Sequence, residues 1–333
     1  MTAVPDKKER RKIRSLYNKV GGAMVLENLI ILAVAFVMTL FLDSFMTEQT
    51  DPETGFDIIG WAEMAVSFCS PAFAAIIMFF GFNAANKVKL RPMFSTEKLT
   101  PGFILRCVML SFAVHAFGIG LEYLLDYALT AVGLQVTSFD YILSTDAPSV
   151  IINLSSSMIL APIAEELFFR GVVLKQVSRV SLRFGIFFSG IAFGIMHGNP
   201  YQFVMATGLG IFFGYITVYS GSLIPSIICH MAVNTMMSIS DIVGIINEDY
   251  VGITLLLTIA AEVLLGAWGI RACLLEGNRL AFPSYTEYHK KRTLPIMITS
   301  AWIIIIFIMY IWELCDSVEP IQVAETLGEF VSV

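Results

Sequence analysis

What most constrains this chain is the recurring length of its apolar stretches. Runs near residues 21–44, 60–84, 103–128, 148–174, 183–197, 201–219, 222–240, 251–272 and 294–314 are rich in aliphatic and aromatic residues and are separated by short polar segments. A helix needs about 20 apolar residues to cross a hydrocarbon core roughly 30 Å thick. Only helices and closed barrels satisfy their own backbone groups there. The runs therefore predict an all-α, polytopic transmembrane helical bundle of about 8–9 spans. The run at 183–197 is short and the one at 148–174 is interrupted by charge, so a segment that enters the membrane part-way gives the lower count. Composition agrees: 56% of the 333 residues are hydrophobic and 14% charged, against about 45–50% and 25% in soluble domains.

Basic residues favour cytoplasmic loops, which gives an independent check on the spans. Threading nine spans from a cytoplasmic N-terminus puts the lysines and arginines of 7–19, 87–98, 175–183 and 271–292 on one side. Of the 21 basic residues, Arg106 and Arg170 fall within spans. The opposite loops carry TEQTDPETGFD, SFDYILSTD, INEDY and the acidic C-terminal tail. The expectation is an N-terminus inside and a C-terminus outside. The formal net charge of −6 is then a sum over two unlike faces, and nucleic acid is not an expected partner. The basic N-terminal stretch and first apolar run resemble a signal peptide, but no A-x-A-like cleavage site follows a short apolar region, so the run reads as a retained span. The five cysteines show neither CxxC nor metal-like spacing. They read as small apolar residues.

Ionisable residues inside spans are functional-site candidates by default. Glu27, Glu63, Arg106, Glu122 and Asp126 lie within a couple of turns of a span end, where their side chains can reach the interface. His115 and Glu262 have no partner nearby in sequence and read as core groups. The rest come in spaced sets. Glu166 and Arg170 stand at i and i+4 with the carboxylate first, the favourable order for a helical ion pair. Glu165 is turned about 100° from Glu166 on that helix, so one carboxylate can be neutralised while the other faces a cavity. His197 follows Phe193 by one turn, and His230 and Asn234 share a helix face. At about 1.5 Å per residue, Glu165 and His197 each lie roughly 20 Å above the turn near 178–183, with His230 and Asn234 at about 12 and 18 Å above the next one. Gly190/Gly194 and Gly210/Gly214 have the spacing that lets membrane helices approach closely.

A recessed carboxylate, two imidazoles and an amide suit hydrolysis. Glu165 would take a proton from water, His197 would hold the water and protonate the leaving amine, and His230 with Asn234 would stabilise the oxyanion. Positioned acid/base groups contribute about 10²–10⁴-fold. No serine or cysteine is as well placed to act as a nucleophile. The preferred reading needs no cofactor, but two His and one Glu also form a zinc ligand set. If a divalent metal such as zinc is present, Glu165, His197 and His230 are its ligands, with Asn234 beside them.

These three motifs, EExxxR at Glu165–Arg170, FxxxH at Phe193–His197 and HxxxN at His230–Asn234, resemble the CAAX protease and bacteriocin-processing (CPBP, Abi) family of intramembrane proteases, which includes the Rce-type prenyl-protein endopeptidase. The resemblance divides the chain into residues 1–145, with a basic segment and three spans, a protease core at 146–245, and residues 246–333, with two further spans, a basic loop and the acidic tail. It implies a helical bundle whose site opens to the cytoplasmic side, with Glu165 as base, His197 as its partner and His230 with Asn234 as oxyanion hole. Glu166 and Arg170 would support them. Many members are described as metalloproteases, and a metal-independent glutamate mechanism is also argued. The implied partners are the lipid bilayer and a peptide or membrane-protein substrate, which need not be prenylated. The implied location is the plasma membrane of a bacterium. Two alternatives stay open: a non-proteolytic scaffold or bacteriocin-immunity protein on the same fold, and a proton-coupled transporter.

Overall fold

The computed structural model describes residues 5–46, 49–52, 55–137, 141–275 and 293–321. The basic loop at 276–292 and most of the acidic tail expected from the sequence lie outside the described residues. Successive helices run back and forth through one bundle: α1 (Lys7–Leu42), α2 (Trp61–Ala85), α3 (Pro101–Ala131), α4 (Ala147–Val177), α5 (Leu182–Ile195), α6 (Pro200–Ser220), α7 (Ile224–Ile246), α8 (Val251–Leu275) and α9 (Ala301–Asp316). Among the described residues seven helices are long and apolar enough to cross a membrane.

The two remaining runs fall short for identifiable reasons. Ser181 caps α5 at its start, and the chain turns at Gly198, whose φ is +63°, so α5 has 14 residues and rises only about 21 Å. The run at 294–314 is broken before Ser300, leaving a short helix at Leu294–Met297 and the 16 residues of α9.

At the end of the bundle away from the basic turns, four three-residue strands tie the helices together. β1 (Asp57–Ile59) pairs in parallel with β3 (Tyr141–Leu143), and β2 (Leu134–Val136) pairs antiparallel with β4 (Val318–Pro320). The first pair fixes the starts of α2 and α4, the second the ends of α3 and α9.

Large apolar side chains cover the outside of the bundle, including Phe36, Phe41, Leu256, Leu264, Ile308 and Trp312. A water-soluble surface avoids contiguous apolar patches of this kind, and a bilayer accepts them. The chain is an integral membrane protein. Its main core lies around the inner face of α4, where Leu167, Phe168, Phe169, Val172 and Val173 pack against α1, α2, α5 and α9. A second core joins α3, α6 and α7 through Phe112, Leu209, Phe213 and Val233.

Candidate active site

The site is built on α4, which is not a uniform α-helix. Asp146 caps its start by accepting from the Ser149 amide, and π-turns occupy Ser156–Leu160 and Phe169–Leu174, on either side of the glutamates. In the first, the Ala161 amide donates to the Ser156 carbonyl. The next carbonyl in that register, Ser157, would need an amide from residue 162, which is proline and has none. Asn234 fills the gap, its Nδ2 donating to Ser157 O at 2.8 Å. In the second, the Phe169 carbonyl accepts from Ser189 Oγ of α5 at 3.0 Å. Such π-turns are frequent at functional sites, and here each exposes a carbonyl that a neighbouring helix captures.

Between the two turns the carboxylates diverge. Glu166 is fully buried, and its Oε1 lies 2.9 Å from Arg170 Nη1 and 3.1 Å from His230 Nδ1. Arg170 Nη2 donates to the Gly210 carbonyl at 2.9 Å, and the guanidinium carbon sits 4.7 Å from the Phe193 ring centre and 5.5 Å from that of Phe213. Leaving a buried charge unpaired costs far more than the pair gains. The ion pair thus fixes α4 against α5, α6 and α7.

The α5–α6 crossing that brings Gly210 within reach depends on missing side chains. A methyl carbon on Gly190 would lie 2.5 Å from Ile211 Cγ1 and 2.7 Å from its backbone nitrogen, and one on Gly194 would lie 2.7 Å from the Phe203 carbonyl. Gly214 is looser, with its nearest neighbour at 3.5 Å.

Glu165 points elsewhere. Its side chain keeps 22% exposure, and its Oε2 lies 3.7 Å from His230 Nε2. His230 therefore stands between the two glutamates, held by the rings of Phe193 and Phe213 at 5.6 and 5.2 Å. Its Nδ1–H donates to Glu166, which turns Nε2 toward Glu165. When His230 carries both protons, the charges of Glu165, Glu166, Arg170 and His230 sum to zero. His197 Nδ1 donates to the Phe193 carbonyl at 2.8 Å, which orients the ring and leaves Nε2 uncommitted.

Glu165, His197 and Asn234 line one cavity of about 550 Å³. Glu165 and His197 share this wall without an ion pair between them; the nitrogen near Glu165 is that of His230. Ser156 and Ser157 are also on the wall. Ser157 Oγ donates to Asn153 O, and Ser156 Oγ lies against Cys69 Sγ, so neither hydroxyl is bonded to a base. Cys229 is buried in the second core, away from the cavity. Sequence reasoning misses Asn28, Gln202, Tyr310 and Glu313 on the wall and misjudges Glu27, which is 6% exposed and also lines the cavity. Glu27 is not interfacial because α1 begins at Lys7 and carries it 20 residues into the helix. Glu313 stands near the end of α9, where an acid reads as interfacial; its carboxyl group would be 2.8 Å from a methyl carbon on Gly198.

The cavity exists because α5 stops early. From His197 and Glu165, near mid-bundle, it extends past Asn153 and Ser67 toward the end that carries the strands. The resemblance in the motifs implied an opening toward the basic, cytoplasmic end; the space here extends the other way.

The same geometry bears on a metal. Among the described residues no three His, Cys, Asp or Glu side chains form a group able to hold one. Glu165, His197 and His230 as arranged do not form such a group.

The functional segment can be compared with known proteins at this point. Residues 147–236, from the start of α4 to the middle of α7, match the family model described as type II CAAX prenyl endopeptidase, Rce1-like. No curated protein and no solved structure matches the chain.

Proposed function

We propose, from the premise that residues 147–236 form an Rce1-like domain in an integral membrane protein, that the chain is an intramembrane endopeptidase whose nucleophile is water activated by Glu165. The family supports a peptidase; the residue roles are our reading of the geometry. One observation carries it: of the two adjacent carboxylates, Glu166 is fully buried and bonded to Arg170 and His230, whereas Glu165 faces the cavity with an imidazole nitrogen 3.7 Å away. Environments that separate two carboxylates are a mark of acid/base assignment.

In this reading a peptide carbonyl enters above His197. Glu165 removes a proton from water as the oxygen attacks. His197, its ring fixed by the Phe193 carbonyl, holds the water at Nε2 and relays the proton that Glu165 has taken from it to the leaving amine, which returns Glu165 to its ionised form. His230 Nε2–H and the Asn234 amide hydrogen not used on Ser157 stabilise the oxyanion. Glu166 and Arg170 hold His230 and α4 in register, and no divalent metal is required.

The lining includes Glu27, Glu165 and Glu313 and neither Lys nor Arg, which favours a neutral or basic segment around the scissile bond. The cavity extends toward the strand end, which the charge asymmetry assigns to the outside. The substrate is accordingly a peptide or membrane-protein segment reaching the site from that side or laterally from the bilayer.

A comparison of membrane peptidomes from cells carrying wild-type, Glu165→Gln or His197→Ala protein at equal abundance tests this. New peptide termini should be present with the wild type and missing with both variants. Identical peptidomes in all three, beside an intact cellular phenotype, would instead indicate a scaffold or immunity role.

A further inference from the structure

We propose that a second cavity, separate from the Glu165 site, binds an amphiphile whose head is a primary ammonium group. It is lined by α3, α6, α7 and α8 and has a volume of about 570 Å³, within the roughly 300–1,000 Å³ range of small-molecule sites. Gln202, in the first turn of α6, is the residue it shares with the first cavity.

The inner end of the cavity is polar and incomplete. His115 of α3 and Glu262 of α8 are 3% and 1% exposed, and His115 Nδ1 lies 2.7 and 2.9 Å from the two Glu262 oxygens. In this proposal the ring is neutral: it donates through Nδ1 and presents a lone pair at Nε2. That nitrogen is buried and has no hydrogen-bond partner among the described residues. A buried polar atom left unpaired is destabilising, so the wall presents an acceptor in want of a donor.

The rest of the lining specifies the donor's charge and body. Glu122 and Asp126 follow His115 on α3 by 7 and 11 residues, on the same face, and Asp241 faces them from α7. Asp126 accepts from Tyr201 Oη at 2.5 Å. With Glu262 there are four carboxyl groups in the lining and neither Lys nor Arg. Against them stand Met205, Met236, Met237, Leu255 and Ile259. An ammonium group donates to His115 Nε2 and is drawn inward by the field of the carboxylates nearer the rim, while a hydrocarbon body covers the methionine wall. A carboxylate in place of the ammonium would be repelled.

The test uses the full chain in phosphatidylcholine nanodiscs and measures binding of decylammonium, decanol, decanoate and decyltrimethylammonium by calorimetry. Decylammonium should bind saturably at one site. Decanol and decanoate should bind at least tenfold more weakly, and so should the quaternary analogue, which has no N–H to donate. Glu122→Gln and Asp241→Asn, conservative changes near the rim, should each weaken decylammonium roughly tenfold, as expected for the loss of one attracting charge in a partly buried site. Repeating the titration in discs containing phosphatidylethanolamine identifies the source. Competition there points to an aminolipid, and its absence points to a free amine. Equal binding of decylammonium and decanol, or unchanged affinity in both rim variants at unchanged melting temperature, would overturn the proposal. Peptide cleavage is not used as a readout, so this outcome is independent of the function assigned to Glu165.

Discussion

The bundle holds two buried histidine–carboxylate centres, and they are built in opposite ways. On α4 and α7, His230 sits against Glu166, with Arg170 supplying a fixed positive charge and Glu165 left facing a cavity. On α3 and α8, His115 and Glu262 meet as a bare pair, with both carboxylate oxygens on one ring nitrogen. In the first centre the guanidinium pairs with one carboxylate and leaves the other, the one proposed for proton transfer, facing the cavity. In the second, the one carboxylate is spent on the histidine that meets it.

That contrast is broken most forcefully at Arg170. Arg170→Ala leaves Glu166 buried without its counter-charge, a loss of about 3–5 kcal/mol. The variant should melt far below the wild type or fail to accumulate, as read by thermal unfolding in detergent. Gly190→Val tests the α5–α6 contact that delivers the Gly210 carbonyl to Arg170. Overpacking costs about 1–3 kcal/mol, and Ile211 is too close to yield, so both melting temperature and cleavage should fall. Glu262→Gln sharpens the comparison from the other side. It replaces a charge-assisted hydrogen bond with a neutral one, worth about 1–2 kcal/mol, and cleavage by the folded fraction should be unchanged. Loss of cleavage at normal stability would mean that the two centres act together.

The smallest effect is at the start of α4. Hydrogen bonds from Ser144 and then Ser149 hold the Asp146 carboxyl below its ordinary value of 3.8. A depressed carboxyl stabilises the folded state above the unfolded value and loses that contribution as pH falls through the lower folded value. Asp146→Ala should therefore lower the melting temperature slightly at neutral pH. The difference from wild type should shrink when melting is repeated in acid below about pH 3.8.

Each apolar run in the sequence became a helix, because hydrophobic length and backbone satisfaction leave a membrane segment little choice. The spacing of Glu166 and Arg170 was equally legible, since an i,i+4 pair is local. What escaped was whatever depends on a departure from the ideal helix or on distant partners. Counting at 1.5 Å per residue put Glu165 level with His197 and His230 lower. The π-turns of α4 alter that count, and His230 reaches both glutamates. Asn234 looked like a plain donor for substrate, but Pro162 removes an amide and Asn234 replaces it on Ser157. His115 and Glu262, 147 residues apart, looked solitary because nothing local marks a pair formed between α3 and α8. The early end of α5, visible as a short run, gave no hint that the space beyond it is the cavity.

The central claim is that Glu165, and not its buried neighbour, activates water. It is tested most directly by the turnover of Glu165→Gln on an identified peptide in proteoliposomes, measured beside the wild type at matched melting temperature. The account predicts a fall of about 10²–10⁴-fold in kcat with an unchanged thermal transition. Turnover retained within a few-fold of the wild type would contradict it.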